Sequence, residues 1–106
     1  MDAKEFKERT KRFALAVIEL IHGLPKNPAG DVLGQQLLRS SCSVGANYRA
    51  ACRAKSTADM VAKLKIVEEE ADESAYWLEL IVQSNLISPE RIAPLLNEAD
   101  ELVAMT

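Results

Sequence analysis

Three short clusters of helix-ending and helix-starting residues divide this 106-residue chain into four long stretches, and that spacing leaves few folds open. The first cluster holds Gly23, Pro25, Asn27 and Pro28. Glycine and proline there end one helix, and Asn27 before Pro28 starts another. The second is "STAD", where Ser56 stands three residues before Asp59 in a relative of the capping box. The third is "SPE", with Ser88 as cap and Pro89 at the first helical position. The predicted helices cover about 2–22, 29–54, 57–85 and 89–104. No segment alternates apolar and polar residues between hairpin turns, so no strand is expected.

Each stretch carries an apolar face at helical spacing. In the first it runs through Phe6, Thr10, Phe13, Val17, Leu20 and Leu24. In the third, Thr57, Met60, Leu64, Val67, Ala71, Ser74, Leu78 and Ile81 keep heptad register. The fourth offers Ile92, Leu95, Leu96, Ala99, Leu102 and Val103. Four amphipathic helices with short connections form an all-α, up-and-down four-helix bundle, here a single domain over residues 1–106.

The second helix contains "RSSCSVGANYR", residues Arg39 to Arg49, a run of poor helix formers. Three readings compete: a catalytic turn, a phosphate-cradling loop, or a thinned helix. On a wheel of about 100° per residue, Leu33, Leu37, Val44, Tyr48 and Ala51 make an apolar arc. Gly34, Ser41, Gly45 and Cys52 form a ridge of small residues beside it, and Arg39, Arg49 and Arg53 lie on the far side. A loop has no cause to keep three sets in phase, so a helix thinned for close packing is expected. Ser43 before Gly45 resembles a hydrolase elbow, yet position 41 is Ser, no strand precedes it, and the only histidine, His22, ends another helix. Ser40 and Asn47 fall at the edge of the apolar arc, where burial would require hydrogen-bond partners.

A second stripe marks the back of the third helix: Ile66, Glu70, Glu73, Trp77 and Leu80, with the only tryptophan. In an isolated bundle this face would be wet, so an oligomer interface is expected there. The charge balance fits. Residues 1–55 hold ten Lys/Arg against five Asp/Glu; residues 56–106 hold three against eleven. Pairing Arg39, Arg49 and Arg53 with Glu70 and Glu73, within or between subunits, would consume part of that asymmetry. Lys4, Lys7, Lys11 and Arg12 provide the other option, a basic surface for nucleic acid, although lysines at such spacing equally suit a solvated helix face.

Hydrophobic residues at 48% and charged residues at 27% suit a soluble globular protein. No apolar run reaches the ~20 residues of a membrane span, and the charged opening residues lack a signal peptide's apolar block. Cys42 and Cys52, ten residues apart on one helix, lie beyond disulfide reach. A cytoplasmic protein with reduced thiols and no membrane partner is expected. Glu19-x-x-His22 has di-iron spacing, but such a site needs the motif twice. Glu70-x-x-Glu73 brings carboxylates without an imidazole. No metal, cofactor or catalytic residue is expected, and the chain is not read as an enzyme.

The segments "RSSCSVGANY" (Arg39 to Tyr48), "ACRAKS" (Ala51 to Ser56) and "EADESAYWL" (Glu70 to Leu78) resemble the bacterial four-helix-bundle proteins encoded by intervening sequences in 23S rRNA genes. The resemblance implies a left-handed up-and-down bundle that assembles into a homopentamer, with no established reaction. A related branch, the accessory proteins of diversity-generating retroelements, forms a basic pentameric barrel that engages a reverse transcriptase and nucleic acid. Here the net charge is −3 and the pI about 5.2, so that basic surface is not carried over.

Overall fold

The computed structural model, which describes residues 1–106, contains four helices and no strand: α1 (Ala3–Ile21), α2 (Pro28–Cys52), α3 (Thr57–Gln83) and α4 (Pro89–Met105). The predicted ends hold to within two residues. Three starts are capped by side chains. Asp2 accepts from the Glu5 N–H at 2.8 Å, Asn27 from Gly30 at 2.7 Å, and Ser56 from Asp59 at 3.1 Å. Ser88 occupies the fourth N-cap, but its side chain makes no cap bond. Its carbonyl accepts from Arg91 and Ile92 instead.

The exits differ from expectation. Gly23 is not a left-handed cap, because His22 caps α1 in a right-handed conformation and no glycine has positive φ. The left-handed residue is Asn85, at φ 61°, just past α3. There the Leu86 N–H donates to the Ile81 carbonyl and the Asn85 N–H to Val82, both at 3.1 Å, so asparagine closes a Schellman motif.

Sequential helices pack side by side, α4 returns to α1, and the diagonal pairs α1/α3 and α2/α4 have no close backbone approach and meet only across the core. This is the geometry of an up-and-down bundle. Phe13, Val17, Leu37, Val44, Val67, Leu78, Ile81, Ile92 and Leu102 fill the core. The predicted core face of α3 is cut short at its start: Thr57 is exposed, Met60 is 43% exposed and Leu64 half-buried. The cause is length. α3 has 27 residues and α4 only 17, a difference of about 15 Å at ~1.5 Å per residue. The core register of α3 therefore runs past the end of its neighbour.

Arg9 ties α1 to α4. Its Nε and Nη2 donate to the two Glu98 carboxylate oxygens at 2.6 and 2.8 Å, and Nη2 reaches Glu101 at 2.9 Å. Hydrogen bonds to Glu98, then Glu101, raise the guanidinium pKa still further, so the clamp stays charged. Pro94 sits inside α4 and leaves the Glu90 carbonyl without its helical donor, and both residues are exposed, which places that gap at the solvent surface.

Candidate assembly surface

The residues expected on the back of the third helix converge on the α2/α3 edge. Arg39 is held by Gln36 one turn earlier, whose side-chain oxygen accepts from Nε at 3.2 Å. From there Nη1 donates to Glu70 at 3.2 Å and Nη2 forms an ion pair with Glu73. Glu73 also accepts from the Trp77 indole N–H at 3.0 Å. Tyr76 meets the indole edge-on, with ring centroids 5.1 Å apart. Helical spacing of three and four aligns Glu70, Glu73 and Trp77 on one side of α3, and Arg39 projects to them from α2.

The stripe is therefore not wet. Ile66, Glu70, Glu73, Trp77 and Leu80 are all half-buried in the single chain, and Trp77 packs against the core. Beneath the ion pairs, the buried Ser40 and Ser74 hydroxyls lie 2.9 Å apart; one donates to the other, which donates in turn to a carbonyl of its own helix, Leu37 for Ser40 or Glu70 for Ser74. Asn47 donates to the Ser43 hydroxyl at 2.8 Å and to its carbonyl at 2.9 Å. The expected partners of both edge residues are present, and the serine of the elbow-like stretch is engaged in helix packing.

The three arginines do not act as one stripe. Arg39 reaches α3, whereas Arg49 lines a groove between α1 and α2, and Arg53 is the exposed C-cap of α2. Residues spread across the outer face of one helix reach toward different neighbours, so neither Arg49 nor Arg53 pairs with Glu70 or Glu73.

The small-residue ridge does bring α1 close, over most of its length. A Cβ on Gly45 would lie 3.2 Å from the Thr10 hydroxyl, and one on Gly34 would lie 2.9 Å from the end of Leu24. Ser41 is fully buried, its hydroxyl donating to the Leu38 carbonyl. Cys52 departs from the expectation: it is exposed. With Thr10 opposite Gly45 in an antiparallel pair, Cys52 falls opposite Ala3, where α1 has only begun. Burial pushes the nearby Tyr48 phenol pKa up, helped by Cys52 and, less, by Asp2.

The expected basic surface divides in two. Lys7, Lys11 and Arg49 line the α1/α2 groove of about 390 Å³ together with Glu8, Cys42 and the small floor residues Ala14, Gly45 and Ala46. Lys4 and Arg12 line a separate depression that also contains Asp2, Glu5 and Glu8. Glu19 and His22 are both exposed at the far end of α1, and no group of three or more His, Cys, Asp or Glu side chains is placed to hold a metal ion. No helix is long and apolar enough to cross a membrane.

Fold and surface together define an all-α four-helix bundle with polar joints between α1 and α4 and between α2 and α3. The chain belongs to the family of the 23S rRNA-intervening sequence protein, whose family model matches residues 4–106. Among solved structures it is similar to a protein with unknown function from the S23 ribosomal protein family of Bacteroides thetaiotaomicron. The two share 35% identity over 93% of this chain and 92% of that one, with a TM-score of 0.86. No curated protein matches the chain.

Proposed function

We propose that the protein is a non-catalytic, self-associating helical bundle that serves as a scaffold, with a homopentamer as the favoured assembly and the α2/α3 edge as its interface. The observation carrying this reading is Trp77. The only tryptophan is half-buried at the surface, with its N–H fixed by Glu73, Glu73 fixed by Arg39, and Ile66 and Leu80 half-buried on the same stripe. A rigid aromatic beside ordered charges is what an interface anchor requires. Size-exclusion chromatography with light scattering tests it. Five chains of 11.7 kDa give about 58 kDa, and Trp77→Ala should return the mass toward that of one chain. A wild-type monomer overturns the proposal.

A second reading rests on the α1/α2 groove, where Lys7, Lys11 and Arg49 converge over a floor of small residues. Under it the protein is an accessory factor that binds RNA or DNA phosphates. Absorbance at 260 nm in the same chromatogram separates the two. Salt-sensitive nucleic acid lost on Lys7→Glu with Lys11→Glu favours the groove; its absence from the wild type excludes it.

A further inference from the structure

Two joints between helices carry an arginine, and both match it with carboxylates. At the α1/α4 joint Arg9 is held by Glu98 and Glu101, and at the α2/α3 joint Arg39 is held by Glu70 and Glu73. The α1/α2 joint is charged as well, but it lacks that match. Lys7, Lys11 and Arg49 line its groove, where the one carboxylate is Glu8. Lys7 and Arg49 enter no ion pair, and Lys11 has only a long contact of 3.9 Å to Glu8. Glu8 stands at the rim, since it also lines the neighbouring depression with Arg9 and Arg12. Three cations against one carboxylate leave two positive charges that the chain itself does not answer.

The groove has a charged end and an uncharged one. With Thr10 opposite Gly45 in an antiparallel pair, Arg49 stands close to the height of Lys7, and Lys11 lies one turn further along. That spread is about 6 Å at ~1.5 Å per residue, a length that two linked phosphoryl groups fill. Arg49 adds a planar fork of donors suited to phosphate oxygens. Beyond Lys11 come Ala14 and Cys42, beside a floor of Gly45 and Ala46 that leaves a slot between the two helices. Its volume of about 390 Å³ suits a small organic molecule. A nucleic-acid strand would use phosphate contacts repeated along its length, and the charge does not continue. Leu15 and Ile18, both exposed, follow on α1, while Lys4 lines a separate depression shared with Asp2 and Glu5.

We propose that the α1/α2 groove is a binding site for a small organic diphosphate, of the class of a nucleoside diphosphate. The diphosphate sits on Lys7, Lys11 and Arg49, and a flat organic body lies over Gly45 and Ala46 beside Cys42. The floor offers no hydroxyl for reading that body, because Thr10 is buried and its Oγ1 donates to the Lys7 carbonyl. The charged head therefore decides binding, and the body contributes by shape. The site is independent of self-association and competes with nucleic acid for the same groove.

The chain contains its own reporter and control. Cys42 and Cys52 are both exposed on α2, and only Cys42 lines the groove. The folded protein is alkylated with N-ethylmaleimide, an uncharged reagent, at low salt with and without ADP, and each cysteine is followed by peptide mass spectrometry. ADP should slow Cys42 several-fold and leave Cys52 unchanged, whereas adenosine, lacking the diphosphate, should slow neither. Lys7→Gln with Lys11→Gln alters two exposed side chains, should keep the helix content by circular dichroism, and should abolish the protection. ADP that leaves Cys42 unprotected, or slows both cysteines alike, overturns the inference, as does protection that survives in the double variant. Protection by an unphosphorylated oligothymidine but not by ADP overturns it too, and gives the groove to nucleic acid.

Discussion

α2 joins its two neighbours by opposite means. Toward α1 it is made thin: Gly45 and Gly34 remove side chains so that Thr10 and Leu24 sit against its surface. Toward α3 it is made polar: a buried serine pair lies under an ion-pair network anchored on Arg39. Thinness is intolerant of added volume, because interiors are packed to crystal density. Polar joints tolerate volume changes better but depend on every partner being present, since an unmatched buried group costs more than a matched one contributes.

The contrast is broken most directly by Gly45→Leu. The branched side chain has no room against Thr10, and thermal or urea unfolding should show a loss of about 1–3 kcal/mol. Gly34→Ala should do the reverse, because the flexible end of Leu24 gives way and the gain in helix propensity is up to ~1 kcal/mol. At the polar joint, Ser74→Ala should cost about 1 kcal/mol. The Ser40→Ala, Ser74→Ala double variant should cost less than the two single changes together, because they share one hydrogen bond. Additive losses would mean that the pair acts as two independent hydroxyls.

Arg39→Ala should cost under ~1 kcal/mol, because the guanidinium is half solvent-exposed and screening discounts its ion pairs. Its clear signal is optical: Glu73 loses its restraint, and the emission of Trp77, the sole tryptophan, should shift. The smallest effect lies near Phe6, whose ring packs 4.5 Å from that of Tyr48. The folded protein holds the Tyr48 phenol proton above its ordinary value of about 10. This contribution is complete below that pH and is lost as pH rises through the raised value. Melting temperatures between about pH 9 and 11 should fall less steeply for Tyr48→Phe than for wild type.

Local punctuation and period determined much of the molecule. Asn27–Pro28, Ser56 and the apolar faces of all four helices are local signals, and the elements formed where those signals stood. The close approach at Gly45 was legible because a small residue in phase with a core face has one main use. What tertiary structure decided depended on lengths and on distant partners. Met60 has core phase yet is exposed, because α4 is ten residues shorter than α3. Cys52 continues the small ridge yet is exposed, because α1 has barely begun at its height. Arg9 showed no local signal at all, its partner Glu98 being 89 residues away. The stripe of Ile66, Glu70, Glu73, Trp77 and Leu80 and a pairing of its glutamates with the α2 arginines were visible as patterns, but only packing decided that Arg39 alone reaches them and does so within one chain. Periodicity is a property of one helix; burial is a property of the neighbour it meets and of where that neighbour stops.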